Sequence, residues 1–284
     1  MDDTSGTRPR SGAGGAVVVG VDDSTSARAA VAWAAVAAAR RGSELHLIEV
    51  LPGPGGSPGE PGTPHGRARA LLSRAQGIAR AIDPDLAVTM HTLSGRVGPA
   101  LVGYAAGASL LVVGSNGPGG PIPLSLGSVL GEVTTHCDCP VVLVPASGAA
   151  TPRRADAPIL VALDDSPDGR RALDFAAETA RRRGAPLWVL SGAAGAAGAE
   201  YDEPAVRARL EERYPGLEVR TESVTGSLDD AMLRADAGVQ LIVLAPRRRG
   251  AALPGGWTRR FLPLLSTCPV AVVSTGTRAS TTLA

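Results

Sequence analysis

A glycine-rich segment in the first half of the chain carries the residue types that could bind phosphate. It contains Gly114, Gly117 and Gly127, with Ser128 next, and it follows the apolar run at 110–113. Glycine allows positive φ and lets the backbone approach a ligand where a Cβ would clash. The N–H groups of the helix that Ser128 opens would attract an anion. The segment therefore predicts a cradle for an anion such as a nucleotide triphosphate.

A purely structural loop is the alternative interpretation of the same segment. Glycines and prolines between a strand and a helix are common in α/β proteins. The segment is not a Walker A loop, because Gly-Lys-[Ser/Thr] is missing and the chain contains no lysine. The strand, loop and helix context and the spacing G-x2-G-x9-G-[S/T] favour nucleotide binding.

An internal repeat sets the elements that position this segment. The run Val-Gly-Val-Asp-Asp-Ser at 19–24 returns as Val-Ala-Leu-Asp-Asp-Ser at 161–166, so the two halves are copies. The first copy carries an extra Pro- and Gly-rich stretch at 52–66, where the composition favours a mobile loop or lid. Further matches keep one order along the chain: 28–41 with 170–183, Gly95 with Gly226, 111–113 with 242–244, and 139–141 with 268–270.

Apolar runs alternate with helix-length stretches in each copy. The runs are continuous rather than alternating, as expected for parallel strands covered on both faces. The pattern predicts an α/β fold of two tandem open doubly wound parallel five-stranded sheets with helices on both faces. In the first copy we expect strands near 16–21, 45–50, 87–92, 110–114 and 141–145, and helices near 26–41, 67–82, 99–106 and 127–136.

The predicted domains follow from the repeat. We expect a first, nucleotide-binding domain at 15–147, a linker at 148–156 and a second domain at 157–276. The tail at 1–14 has no apolar periodicity and is expected to be disordered, and a short tail at 277–284 closes the chain. In a doubly wound sheet, ligands sit at the carboxyl ends of the strands near the topological switch point. Asp22, Val50 and the glycine segment should therefore converge.

Composition narrows the partners and the compartment. A formal net charge of +1 gives no broad electrostatic reason to expect nucleic acid or an anionic membrane as a partner. Three cysteines do not make a disulfide framework, no apolar run approaches the roughly 20 residues of a membrane span, and no secretory segment is recognised, so we expect a cytoplasmic protein. Cys137-Asp138-Cys139 could hold a metal or form a redox pair, but buried thiols are the default interpretation.

These motifs together resemble a tandem universal stress protein, and the likeness runs from about Ala16 to Ser274. It rests on the glycine spacing, on Val21-Asp22-x-Ser24, on Glu49-Val50, on Gly95 and on Cys-Pro-Val-Val at 139–142. The resemblance implies a Rossmann-like fold, similar to the adenine nucleotide alpha hydrolases. It also implies that the first domain binds ATP, with Mg2+ as its counterion.

The resemblance assigns a role to each matching residue. Asp22 would lie beside the nucleoside, Gly20 next to the base, and the Val50 backbone against adenine. The remaining residues would line the ribose and phosphates: Gly114, Asn116, Gly117, Gly127, Ser128, Val129 and Leu130. Two alternatives stay open, since Asp22 with Asp23 could cap the first helix and Ser128 could be a helix N-cap.

The second copy departs from the first at the residues that would touch phosphate. The first four residues of the glycine segment are replaced in the second copy by Ala245, Pro246, Arg247 and Arg248. The position that corresponds to Ser128 is occupied by Trp257. Proline removes a donor and alanine penalises positive φ, so we expect a degenerate second site. The arginines at 247–249, 259 and 260 form either a solvated surface cluster or an anion patch.

Three functions are compatible with these observations. The first is a regulatory, stress-response protein that holds ATP in its N-terminal domain. The second is a slow Mg-dependent ATPase, although the four histidines are scattered and predict no catalytic or metal-ligating residue. The third is a scaffold without nucleotide that assembles through the sheet edges at 141–145 and 270–274. The resemblance implies that these edges pair the two domains within one chain, and a homodimer is compatible with them.

Overall fold

The computed structural model describes residues 15–53, 63–115, 128–149, 156–163, 166–192, 202–245 and 266–274. The chain divides between Val141 and Val142 into two compact units. In the described residues no helix is both long enough and apolar enough to cross a membrane.

The first unit is an α/β sheet of parallel strands. The strands stand in the order β3-β2-β1-β4, and every pair in this series is parallel. Its elements are β1 (Val17–Gly20), α1 (Thr25–Arg41), β2 (Leu45–Leu51), α2 (Pro64–Ile82), β3 (Val88–Ser94), α3 (Val97–Tyr104), β4 (Leu110–Gly114) and α4 (Ser128–His136). β5 (Val141–Val144) follows, and the second unit begins at its start. The predicted α/β class and parallel strands are confirmed.

Local sequence explains where α1 begins and ends. The Ser24 hydroxyl accepts the Ala27 N–H at 3.0 Å, which supplies one of the partners that the first turn lacks. Gly42 ends the helix with a φ of 62°, a conformation that costs glycine little. The apolar face of α1 is fully buried, and its small side chains bring the helix close to the sheet: Val31, Ala34, Ala35 and Ala38.

The two central strands, β1 and β4, form the buried middle of the sheet. Val17, Val18 and Val19 have no exposed surface, and neither have Leu110 and Leu111. Consecutive residues of a strand point to opposite faces, so both faces are covered by packed side chains. The edge strand β3 has no fully buried residue and exposes Met90.

The second unit repeats this arrangement, with parallel strands in the order β10-β9-β6-β7-β8. Ser166 caps α5 by accepting the Gly169 N–H at 2.9 Å, and Gly184 ends it with a φ of 62°. These devices match Ser24 and Gly42 of α1. The elements are β6 (Ile159–Leu163), α5 (Pro167–Arg183), β7 (Leu187–Gly192), α6 (Glu203–Arg213), β8 (Val219–Val224), α7 (Leu228–Ala235), β9 (Leu241–Leu244) and β10 (Val270–Val272).

Candidate functional site

The topological switch point of the first unit lies between β1 and β4. From β1 the chain adds β2 and then β3 on one side, and it returns to place β4 on the other side of β1. The connections that leave β1 and β4 therefore diverge, which opens a crevice at the carboxyl edge of the sheet. Asp22, Val50 and Gly114 lie at the carboxyl ends of β1, β2 and β4, so the structure brings these three predicted residues to one edge.

The turn after β1 holds Asp22 in a defined position. Its Oδ1 accepts the Ser24 N–H at 2.9 Å, and Ser24 in turn caps α1. Asp22 is half-buried, whereas its neighbour Asp23 is exposed. Ser24 is the N-cap, so the alternative in which Asp22 and Asp23 cap α1 is wrong.

Two glycines at this edge are closely packed, and packing excludes a Cβ at Gly114. A Cβ on Gly114 would lie 2.5 Å from Ser26 Oγ and 2.8 Å from the backbone N of Ala27. A Cβ on Gly20 would lie 3.2 Å from Leu101 Cδ1 of α3, on the opposite face. Gly114 does not use the positive φ that glycine allows, because its φ is not positive. It is glycine because α1 begins directly against the end of β4.

Glu49 is a site residue that sequence reasoning did not select. It is half-buried near the end of β2, and its Oε2 atom is buried without a hydrogen-bond partner among the residues that the structure describes. Burial, and then the charges of Asp22 and Asp23, raise the pKa of Glu49, while Arg74 opposes the shift. An acidic residue near the end of a mostly buried strand was the signal that could have identified it.

Arg74 of α2 brings a positive charge to this group of carboxylates. Its Nη2 atom lies 3.5 Å from Asp23 Oδ1, and both side chains are mostly exposed to solvent. An exposed pair at that distance contributes little to stability. This part of the crevice has a negative character, because it holds three carboxylates, those of Asp22, Asp23 and Glu49.

The structure describes the two ends of the segment that is predicted to bind phosphate. Gly114 ends β4, and Ser128 begins α4, where Val129 is half-buried and Leu130 is buried. The first N–H groups of a helix have no partner within it and favour an anion. Asn116, Gly117 and Gly127 lie outside the described residues, as do the second-copy Asp164 and positions 246–265.

The second unit has different residues at the matching positions. Asp168 in the first turn of α5 takes the place of Ser26, is 6% exposed, and leaves its Oδ1 atom without a partner in the part of the chain that the structure describes. Ala245 occupies the place of Gly114 and is 1% exposed. The Asp168 carboxylate at the start of α5 disfavours binding of an anionic ligand there, because it already supplies the negative charge that the N-terminus of a helix attracts.

Comparison with known proteins agrees with the repeat. The model of the "Universal stress protein family" matches residues 15–145 and again 157–274. Universal stress protein Rv2623 of Mycobacterium tuberculosis is 30% identical over 262 residues, covering 82% of this chain and 87% of that protein.

One solved structure agrees with the fold. A universal stress protein from Archaeoglobus fulgidus superposes with a TM-score of 0.69 at 19% identity, covering 93% of this chain and all of that one. A universal stress protein solved in complex with cAMP is 28% identical over 46% of this chain and 97% of its own, with a TM-score of 0.38. Two matches of one family model along a single chain, in register with its internal repeat, show that this protein belongs to the universal stress protein family and carries two copies of the domain in tandem.

Proposed function

We propose that the first unit binds ATP with Mg2+, and that the protein acts as a regulatory stress-response protein rather than an efficient enzyme. The observation that carries the proposal is the crevice at the switch point. There the ends of β1 and β4 meet the start of α1, and α4 begins on the same connection that leaves β4. Doubly wound sheets hold nucleotides at this place.

The ends of the glycine segment suit a phosphate chain. Gly114 has no side chain to fill the crevice, and the N-terminal N–H groups of α4 provide donors for phosphate oxygens. We propose that Asn116, Gly117, Gly127 and Ser128 complete this part of the site. Val129 and Leu130 would add backbone N–H groups.

The nucleoside would lie toward β1 and β2. Asp22 is held by its bond to the Ser24 N–H at 2.9 Å, which leaves the carboxylate positioned to accept a hydrogen bond from a ribose hydroxyl or a base. Val50 is half-buried at the same edge of the sheet. Its backbone would contact adenine, and Gly20 would lie next to the base.

A divalent cation fits the charges of this crevice. Burial, and then the negative charges of Asp22 and Asp23, raise the pKa of Glu49. A triphosphate would add several negative charges, so binding needs a counterion, and Mg2+ is the ion that carboxylates and phosphates share in nucleotide sites. The cation would neutralise phosphate charge when bound.

The proposal places one nucleotide in each chain. The second unit keeps the fold, but Asp168 and Ala245 occupy the places of Ser26 and Gly114. Position 245 of the second unit holds a buried alanine, whereas a Cβ on Gly114 would clash with the start of α1. A negative charge at the start of α5 further disfavours phosphate in the second unit.

Isothermal titration of the full chain with Mg-ATP tests the proposal. We expect binding near one site per chain, lost in Gly117→Val and Gly127→Val. Gly192→Val is the matched control, because Gly192 takes the place of Val50 in the second unit and has open space around a built Cβ. Absence of heat and of co-purified nucleotide would instead favour the scaffold. Steady phosphate release that disappears in Asp22→Ala would assign slow hydrolysis.

A further inference from the structure

Two thiols lie in contact where α4 leads into β5. Cys137 and Cys139 flank Asp138, and their Sγ atoms are 3.4 Å apart. Both are reduced and buried, with 2% and 6% of their surface exposed. A disulfide has an S–S distance near 2.05 Å, so closing this pair requires a movement of only about 1.3 Å.

The two sulfurs differ in chemical character. The hydrogen bond between the two thiols outweighs burial and holds the pKa of Cys137 below its usual value, with help from the backbone N–H groups of Asp138 and Cys139. The bond to Cys137, together with burial, raises the pKa of Cys139. Cys137 is thus the better nucleophile, because the thiolate is the reactive form.

Oxidation suits this pair better than metal binding. In the described residues no group of three or more His, Cys, Asp or Glu side chains is placed to hold a metal ion. Structural metal sites need about four such ligands. Two adjacent thiols of unequal character are, in contrast, the arrangement in which one sulfur is oxidised and the other resolves it.

We propose that Cys137 and Cys139 are a redox-active dithiol that a small hydroperoxide converts into an intrachain disulfide. The Cys137 thiolate attacks a peroxide oxygen, the O–O bond breaks, and the sulfur becomes a sulfenic acid as one water leaves. The Cys139 sulfur then attacks Cys137, the S–O bond breaks, and hydroxide leaves with the Cys139 proton as a second water. Two thiols and one hydrogen peroxide thus yield one disulfide and two waters.

The position of the pair selects a small oxidant. Asp138 between the two cysteines is exposed, and so is His136 just before them, so the thiols lie directly beneath a surface turn. Burial hinders large disulfide reagents, whereas hydrogen peroxide is close to water in size. The reaction is therefore expected to be slow with bulky oxidants and faster with hydrogen peroxide.

Cys268 provides an internal control. It is the third cysteine of the chain, lies in the second unit, and is fully buried. Its Sγ donates to the Val239 carbonyl at 3.4 Å, and no sulfur stands two residues away from it. Since no cysteine stands at the spacing that joins Cys137 to Cys139, Cys268 should remain a thiol.

The test uses the full chain, reduced and then treated with hydrogen peroxide without denaturant. After the peroxide is removed, the protein is denatured in N-ethylmaleimide and analysed by mass spectrometry. We expect the number of alkylated cysteines to fall from three to one, with Cys268 labelled and the peptide that carries the pair lighter by two hydrogens. Dithiothreitol should restore all three labels. Three labels after peroxide, or disulfides between chains, would overturn the proposal.

Two variants separate the two chemical steps. Cys139→Ser leaves Cys137 without a resolving thiol, so dimedone should trap its sulfenic acid. Cys268→Ser should still lose two labels on oxidation. Because the wild-type label count needs no variant, the test survives a variant that fails to fold. The assay contains no nucleotide, so its outcome is independent of the proposed ATP site.

Discussion

Gly114 at the end of β4 lies against Ala27 in the first turn of α1, where a Cβ at position 114 would stand 2.8 Å from the Ala27 nitrogen. No rotamer change relieves a clash with backbone. Gly114→Ala is therefore expected to lower the free energy of unfolding by about 1–3 kcal/mol, measured by urea denaturation. Gly77→Ala is the control: Gly77 is exposed within α2 with open space around a built Cβ, so alanine should stabilise by about 0.5–1 kcal/mol. Equal effects of the two substitutions would refute the packing explanation.

Asp22 and Asp23 differ in their place at the crevice. Asp22 is half-buried and held by the Ser24 N–H, whereas Asp23 is exposed. Asparagine keeps the oxygen that accepts from Ser24 but removes the charge. Asp22→Asn should weaken Mg-ATP binding about tenfold, or about 1.4 kcal/mol, in a calorimetric titration. Asp23→Asn should leave the affinity within about twofold, since exposed charges contribute little. An unchanged affinity in Asp22→Asn would remove Asp22 from the site.

Glu49→Gln is expected to stabilise the first unit at neutral pH. The pKa of Glu49 in the folded state lies above its usual value of 4.5. The stability that Glu49 contributes to the fold is therefore fully present below pH 4.5, and it is lost as the pH rises through the folded-state pKa. The variant should therefore unfold at higher urea concentration than the wild type at pH 7, and the gap should close near pH 4. A gap that persists at pH 4 would mean that the substitution acts by packing rather than charge.

His91 lies in a cluster of three rings on the sheet. Its ring centroid is 5.7 Å from that of His46 and 5.3 Å from that of Tyr104. Burial, and then His46, lower the pKa of His91 below its usual 6.5. Its contribution to stability is present above that value and is lost as the pH falls through the folded-state pKa.

The free energy of unfolding should accordingly fall between pH 7 and pH 5, with a slope from His91 of at most about 1.4 kcal/mol per pH unit. His91→Gln should flatten this dependence in urea titrations at several pH values. His136→Gln is the control, because His136 is exposed at the end of α4. The explanation fails if both variants keep the wild-type slope.

Asp236 ties the turn before β10 to the end of α7. Its carboxylate accepts from the Ser266 hydroxyl, from the Thr267 N–H at 2.9 Å and from the Cys268 N–H at 3.1 Å. Burial raises the pKa of Asp236, but these hydrogen bonds outweigh it and hold the pKa below the usual 3.8. The stabilisation is present above that pH and is lost as the pH falls through the folded-state pKa.

Asp236→Asn places an NH2 group among these donors and should cost about 1–3 kcal/mol at pH 7 in chemical denaturation. Asp230→Asn changes the same atoms on an exposed residue of α7 and should stay within about 0.5 kcal/mol of the wild type. The difference between Asp236→Asn and the wild type should shrink as the pH is lowered toward 3. A constant difference would indicate that the carboxylate charge is not involved.

Local signals predicted the elements closely. Helices predicted near 26–41 and 67–82 correspond to α1 and α2, whose ends depend on a few neighbouring residues such as Ser24 and Gly42. The predicted strand at 110–114 matches β4, and the ends of the other strands differ from the predicted ends by at most two residues. The end of a strand depends on how far the adjacent strand of the sheet continues to pair with it. Strand ends are therefore harder to predict from neighbouring residues in the sequence than the strands themselves.

The chain by itself determined that this is a repeated α/β fold, because the repeat of Val19 to Ser24 and the continuous apolar runs allow few other arrangements. Only the tertiary structure decided why Gly114 is glycine and that Glu49 carries a buried, unpartnered oxygen beside Asp22 and Asp23. Both facts concern atoms from separate elements that come within a few ångströms of one another. Such distances depend on how helices and strands pack, and periodicity along one strand does not contain them.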